Sequence, residues 1–178
     1  MRLIEIIGSE GIIPRLGAAR RDEAFLEIVE HLVGTGRVQE RLKEDLLMAL
    51  LKREALGATS IGNAVAIPHV KTDMVTEFVG ALAVSKAGID FAPGEPPVHV
   101  IILFLSPSRA VSGHLRLLAH IGGILNHDGY VKLLRDADGK TELCDLVRDA
   151  ERMIFGDPSA SDDESDERGD PGREPVLA

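Results

Sequence analysis

Arg53-Glu-Ala-Leu-Gly-Ala-Thr-Ser-Ile-Gly-Asn-Ala-Val-Ala-Ile-Pro-His-Val-Lys71 is the most informative stretch of this 178-residue chain. Its pattern predicts the end of a helix that carries Arg53, then a polar turn, then a short apolar strand that runs into Pro68 and His69. Proline fixes its own φ angle and biases Ile67 towards extended geometry, so the backbone before the imidazole is stiff. The stretch therefore predicts a strand that delivers a histidine to its end.

The helix before this turn is predicted from about Glu40 to Leu56. Its apolar residues recur at helical spacing and comprise Leu42, Leu46, Ala49 and Leu50. Continuing that spacing by three or four residues reaches Arg53. A guanidinium on a core-facing stripe needs an anionic partner, because burying an unpaired charge is costly. From the residues alone, a salt bridge or an interaction with the helix C-terminal dipole is preferred, and a bound phosphate is the alternative.

A second histidine, His114, stands near the start of another predicted helix. At about 100° per residue, Leu118, Ile121 and Leu125 fall within roughly 40° of His114, whereas His120 lies roughly 120° away. His114 therefore heads the inward face. It also lies in the first helical turn, where unpaired N–H groups and the helix dipole favour an anion.

The rest of the chain alternates between apolar strands and amphipathic helices. Strands are predicted at 79–84 and 98–105, and helices at 22–33, 129–135 and 141–155. The segment 11–14 is predicted as an edge strand or an extended lead into the first helix. We therefore expect an α/β fold, one domain at 1–155 whose mixed β-sheet is flanked by helices on both faces.

The composition of the chain limits which compartment and which classes of partner are expected. No apolar run approaches the ~18 residues that span a bilayer, and the N-terminus lacks the apolar core of a secretory signal. The single cysteine, Cys144, fits a reducing compartment and a small buried apolar role. The net charge of −9 argues against nucleic-acid binding. We expect a cytoplasmic protein that does not insert into membranes.

The negative charge is concentrated at the end of the sequence. Residues 156–178 hold eight acidic side chains and two arginines, whereas the preceding domain is nearly balanced. Proline, serine, glycine and charged residues replace the apolar pattern there. We predict that 156–178 is a disordered acidic tail.

Several catalytic signatures are missing from the sequence. It has no Gly-x-x-x-x-Gly-Lys-Ser/Thr loop for ATP, no Gly-x-Ser-x-Gly elbow and no His-Glu-x-x-His pair. His114 and His120 are six residues apart and point to different sides of their helix, which is poor geometry for a metal site.

The segment 53–69 resembles the active-site signature of the enzyme IIA (EIIA) domains of the fructose/mannitol type from the bacterial sugar phosphotransferase system, a family that includes the nitrogen-regulatory IIA proteins. A second family element, a histidine that opens a leucine-rich helix, recurs at His114-Leu-Arg-Leu-Leu-Ala. The resemblance extends from about residue 12 to about residue 153. Ala64 stands where the family usually has glycine, which implies that this turn tolerates a Cβ atom.

The resemblance implies a role for each residue of the site. His69 is expected to carry a phosphoryl group on Nε2, Arg53 to be the active-site arginine, and His114 to orient the phosphoryl group without being phosphorylated itself. Asn63 and Thr59 are expected to shape the substrate pocket, and a turn-stabilising role for Asn63 is equally open. Neither a metal nor another cofactor is expected, because the donor is a phosphohistidine.

The resemblance also implies the partners. The donor is expected to be the histidine-containing phosphocarrier protein, and the acceptor an enzyme IIB cysteine in sugar uptake. The alternative is a regulatory interaction protein, whose binding to a target depends on the phosphorylation state of His69. The absence of attached IIB and IIC segments favours the regulatory type.

Overall fold

The computed structural model describes residues 1–127 and 129–156, which form six α-helices and a six-stranded sheet. The helices are α1 (Leu3–Ile7), α2 (Arg21–Gly34), α3 (Lys43–Ala55), α4 (Val111–Leu125), α5 (Tyr130–Asp136) and α6 (Lys140–Phe155), with a 3₁₀ turn at Glu40–Leu42 before α3. The strands are β1 (Ile12–Ile13), β2 (Ser60–Gly62), β3 (Val65–Ala66), β4 (His69–Thr72), β5 (Val79–Ile89) and β6 (Val98–Pro107).

The sheet is mixed and β6 lies at its centre. The strand order is β1-β5-β6-β3-β2, and β4 also pairs with β6. β6 runs antiparallel to β5 and parallel to both β3 and β4. All but one of its ten residues are buried, as expected for a strand that is covered on both faces.

Helices cover both faces of this sheet, which confirms the predicted α/β architecture. α2 and α3 pack on one face through Phe25, Ile28, Leu32, Leu46 and Leu50. α1, α4, α5 and α6 pack on the other face, where the buried set includes Leu117, Ile121, Ile124, Leu143 and Val147. Each helix therefore buries one apolar stripe against the sheet, and for α2, α3, α4 and α6 the spacing of the apolar residues had predicted the helix.

The strand predicted to run into His69 is in fact two strands. β3 pairs with β6 at Val100 and Ile101, and β4 pairs with β6 from Phe104 onwards. Ile67 and Pro68 separate them, and a proline has no N–H to donate to a ladder. His69 thus opens β4 instead of ending the strand before it.

The N-terminal segment contains a helix that the sequence pattern did not predict. α1 buries Leu3, Ile6 and Ile7, an i, i+3, i+4 spacing too short to stand out in a longer window. The carboxylate of Glu151 accepts hydrogen bonds from the backbone N–H groups of Leu3 and Ile4 at the start of α1. β1 follows as the predicted edge strand, parallel to β5.

Two further predictions concern the end of the chain and the membrane. The predicted acidic tail lies outside the described residues except for Gly156, which ends α6 with a φ of 79°. Within 1–127 and 129–156, no helix has the length and apolar character needed to cross a bilayer.

Candidate functional site

Three side chains from separate elements meet at one edge of the sheet. The rings of His69 (β4) and His114 (α4) lie 5.2 Å apart between centroids and at 65° to each other. Nη2 of Arg53, in the last turn of α3, lies 3.3 Å from Nε2 of His69. Phe104 of β6 packs against both imidazoles, with centroid distances of 5.5 Å to His69 and 5.2 Å to His114. The fold therefore brings together the two histidines and the arginine that the sequence singled out.

The hydrogen bonds of His69 assign its two ring nitrogens. Nδ1 lies 2.7 Å from the carbonyl oxygen of Ile67, an acceptor, so Nδ1 carries the proton and donates. Nε2 faces the guanidinium of Arg53, which can only donate. In this arrangement Nε2 is unprotonated, and its lone pair accepts from Nη2 of Arg53.

Burial keeps His69 neutral. The half-buried position of the ring is the main cause that lowers the pKa of His69, and the positive charges of Arg53 and Lys71 act in the same direction. The hydrogen bond to Ile67 and the charge of Glu54 oppose this shift. The imidazole is therefore mostly uncharged near neutral pH.

His114 is more deeply buried and is also neutral. Burial lowers the pKa of His114 to about 4, with His69, Lys71 and Arg53 contributing in the same direction. Its Nδ1 lies 2.7 Å from the hydroxyl oxygen of Ser106, at the end of β6. When that hydroxyl donates to Nδ1, Nε2–H is the remaining donor of the ring.

Arg53 has no carboxylate within ion-pair distance in the described part of the chain. Its Nη1 donates to the carbonyl oxygen of Gly57 at 3.0 Å, just beyond the end of α3. The salt-bridge interpretation is therefore wrong for the described residues, whereas the contact with the helix C-terminus is present. The other side of the guanidinium faces His69.

Comparison with known proteins identifies the family of the chain. The family model described as "Phosphoenolpyruvate-dependent sugar phosphotransferase system, EIIA 2" matches residues 5–150. The chain belongs to this EIIA family. The match begins before the resemblance noted in the sequence, which started at about residue 12, because it includes the second half of α1.

Relatives of this EIIA domain carry two kinds of name. The chain is 32% identical to the PTS system fructose-specific EIIA component of Haloferax volcanii over 72% of this chain and 83% of that protein. It is also 32% identical to a nitrogen regulatory protein of Bradyrhizobium diazoefficiens, over 76% and 87% respectively. The crystal structure of nitrogen regulatory protein IIA-Ntr from Neisseria meningitidis superposes with a TM-score of 0.72 and 26% identity, covering 80% of this chain and 97% of that one.

The two other predicted site residues of the EIIA domain lie apart from the imidazoles. Thr59 is buried and bonds to Glu54 through both its hydroxyl and its backbone N–H. Asn63 is exposed at the tip of the β2–β3 hairpin, where Asn63 and Ala64 have φ angles of 51° and 63°. In the described structure, neither side chain hydrogen-bonds to His69, His114 or Arg53. Their roles in the substrate pocket stay predictions.

The sequence interpretation missed Glu54, Ser106 and Phe104. For Glu54 a signal was present, since Leu46 and Leu50 are both almost fully buried and another step of four residues reaches Glu54, which is 4% exposed. The stripe of α3 therefore ends on the glutamate, and Arg53 lies beside it. Ser106 and Phe104 gave no such signal, because they belong to a continuously apolar strand and its turn.

His120 faces away from this site and bonds to a different partner. Its Nε2 lies 2.6 Å from the carboxylate of Glu151, and its ring stacks on Phe155. Residues 1–127 and 129–156 contain no group of three or more His, Cys, Asp or Glu side chains arranged to hold a metal ion.

Proposed function

We propose that this EIIA domain is a phosphocarrier and that His69 is its acceptor. Nε2 of His69 attacks the phosphorus atom of a donor phosphohistidine. A new N–P bond forms as the N–P bond of the donor breaks, and the donor imidazole leaves with the electron pair. The observation that carries this proposal is the pair of contacts on the ring: Nδ1–H donates to Ile67, and the unprotonated Nε2 accepts from Arg53, a donor that can move to the phosphoryl oxygens.

Arg53 and His114 would stabilise the phosphoryl group. The guanidinium lies within 3.3 Å of Nε2, so it is placed to donate to oxygens bonded to the phosphorus on that nitrogen. It has no carboxylate partner in the described residues to compete with a phosphoryl group. His114 is a neutral neighbour that can donate through Nε2–H, and it orients the group without accepting it.

Partner proteins must reach Nε2 from outside, and the surface next to the site suits protein contact. Val111 and Leu115, in the first turns of α4 beside His114, are 50% and 61% exposed. Exposed apolar side chains that lie together on one face are typical of protein interaction sites. The donor in this proposal is the histidine-containing phosphocarrier protein, and the acceptor is an enzyme IIB cysteine or a regulatory target, all in the cytoplasm.

Phosphorylation in a reconstituted system tests the assignment of His69. The chain is incubated with phosphoenolpyruvate, enzyme I and the carrier protein, and the expected product holds one acid-labile phosphoryl group. His69→Ala should take up no label, whereas His120→Ala, which removes an imidazole outside the site, should be labelled like the wild type. Labelling of His69→Ala would refute the proposal.

Two uses of this phosphoryl group are candidates. They are suggested by two relatives at equal identity, one named for fructose and one for nitrogen regulation. In transport, the phosphorylated chain passes the group to a fructose-type IIB protein, and the label should appear on a IIB cysteine. In regulation, the label stays on the chain and binding to a kinase or transporter changes with phosphorylation. Chasing the labelled chain with IIB separates the two uses.

A further inference from the structure

A buried carboxylate lies next to the proposed acceptor site. Glu54 occupies the last turn of α3, directly after Arg53, and is only 4% exposed. Its Oε1 accepts the backbone N–H of Thr59 and its Oε2 accepts the Thr59 hydroxyl, each at 2.7 Å. Both oxygens are thus hydrogen-bonded, which is the condition under which a carboxylate is tolerated in a buried position.

The hydrogen bonds continue from this carboxylate to the reactive ring. The carbonyl oxygen of Thr59 accepts the N–H of Ile67 at 3.0 Å. The carbonyl oxygen of Ile67 in turn accepts Nδ1–H of His69 at 2.7 Å. Along this path the carboxylate of Glu54 fixes the backbone of Thr59, Thr59 fixes Ile67, and the carbonyl of Ile67 fixes the orientation of the His69 ring.

We propose that Glu54 is a positioning residue for phosphoryl transfer. Through Thr59 and Ile67 it positions the carbonyl oxygen that holds the proton on Nδ1 of His69, and its negative charge, acting through space, makes Nε2 more electron-rich. Glu54 does not touch the phosphoryl group. This inference rests on the proposed role of His69 as the acceptor.

The electrostatics at the ring agree with such a role. The charged groups that act on His69 are Arg53, Lys71 and Glu54, and the neutral ring of His114 lies beside it. Burial, Arg53 and Lys71 lower the pKa of His69, which also makes its lone pair less basic. Among the side chains, Glu54 supplies the opposing charge, and it does so without occupying the place of the phosphoryl group.

The same contacts also tie α3 to the turn before β2, so the charge of Glu54 must be tested separately from its shape. Glu54→Gln meets this need, because the amide oxygen can accept the Thr59 N–H while the amide NH₂ donates to the Thr59 hydroxyl oxygen. The variant keeps both contacts and loses the charge. Glu54→Asp keeps the charge, and Glu44→Gln removes an exposed carboxylate from the first turn of the same helix.

The experiment combines nitrogen NMR of the His69 ring with phosphorylation rates across pH. In Glu54→Gln we expect the pKa of His69 to fall and the tautomer protonated on Nε2 to become detectable. The phosphorylation rate should fall about 10-fold, the lower end of the range found when direct hydrogen-bond partners of metal-ligating histidines are removed, because Glu54 acts one step further from the ring. Glu54→Asp should recover part of both effects, and Glu44→Gln should match the wild type.

An unchanged His69 titration and an unchanged rate in Glu54→Gln would overturn the inference and leave Glu54 as a structural tie. If Glu54→Gln does not fold, Thr59→Val takes its place, because it removes one bond to the carboxylate and keeps the backbone path. It keeps the negative charge of Glu54 and leaves it less neutralised, so the pKa of His69 should rise slightly, and an unchanged titration would again overturn the inference. The NMR titration needs no phosphoryl donor, so failure of His69 as acceptor would appear separately, as wild-type protein that takes up no label.

Discussion

The two histidines of α4 have opposite environments. His120 lies 2.6 Å from the carboxylate of Glu151 and its ring stacks on Phe155 at a centroid distance of 3.9 Å. His114 has a hydroxyl partner, Ser106, and a second imidazole, His69, as its neighbours. The same residue type, six positions apart on one helix, thus takes part in two different kinds of cluster.

The two clusters on α4 differ in what they offer to other molecules: the one around His120 stabilises the fold, and the one around His114 belongs to the candidate site. At His120 the carboxylate satisfies the imidazole and also holds the start of α1, so the cluster is complete within the chain. Around His69 and His114 the nearest carboxylate, Glu54, bonds to Thr59 instead of the guanidinium. Arg53 keeps donors that an incoming phosphoryl group can occupy.

Removing the carboxylate of the His120 cluster should have the largest effect on stability. Glu151→Ala leaves the N–H groups of Leu3 and Ile4 and the ring of His120 without this acceptor. We expect a loss of about 3–5 kcal/mol in the free energy of unfolding, as for other broken buried pairs. Urea unfolding measures it, with Asp149→Ala, an exposed residue of the same helix, as the control. A free energy of unfolding equal to that of the wild type in Glu151→Ala would show that the His120 cluster does not stabilise the fold.

Removing the guanidinium of Arg53 should lower the phosphorylation rate and leave the stability of the fold nearly unchanged. Arg53→Ala should slow phosphorylation of His69 by about 100- to 1,000-fold, the range for loss of a donor that stabilises developing charge. The free energy of unfolding should change little, because Arg53 is only half-buried and pairs with no carboxylate in the described residues. Lys52→Ala removes the same charge from the neighbouring exposed position and is the control. Equal rates in Arg53→Ala and wild type would remove Arg53 from the site.

The pH dependence of the free energy of unfolding should reveal the buried, neutral state of His114 at the start of α4. Folding lowers the pKa of His114 from 6.5 to about 4, so the unfolded chain binds a proton first as the pH falls. The free energy of unfolding should therefore drop below pH 6.5, by about 2 kcal/mol between pH 7 and pH 5 from this group. His114→Gln should flatten that part of the curve, and His127→Gln is the control for an exposed imidazole. A curve unchanged by His114→Gln would contradict the buried neutral state.

The smallest effect is expected at the hairpin tip. Ala64 has a φ of 63°, a region that glycine occupies without the clash of a Cβ atom. Ala64→Gly should raise the free energy of unfolding by about 0.5–1 kcal/mol while the phosphorylation rate stays unchanged. Thermal unfolding measures the gain. A lower stability would show that the Cβ atom makes a favourable contact that outweighs the strain.

Much of this molecule was predictable because its signals are local. Helical spacing placed α2, α3, α4 and α6, and continuous apolar runs placed β5 and β6. The segment 53–69 pointed to Arg53 and His69 together. These features depend on residues that are close in the sequence, where periodicity and turn chemistry are informative.

The features that were missed depend on contacts between distant parts of the chain. α1 is held by Glu151, which lies 148 residues away from Leu3. The break between β3 and β4 follows from where β6 offers partners, and Phe104 becomes part of the site only after that pairing forms. The sequence analysis also placed Arg53 on the buried stripe of α3. Helical spacing allows a step of three or four residues after Leu50, so it cannot decide between Arg53 and Glu54.

The break at Ile67 and Pro68 makes the chain length before His69 critical. Alternate residues of a strand face opposite sides of a sheet, and Val70 already points into the core formed with α2 and α3. Deleting or inserting a single residue here would rotate the imidazole into that other core, away from His114. A change of chain length between Ala66 and His69 is therefore expected to abolish phosphorylation.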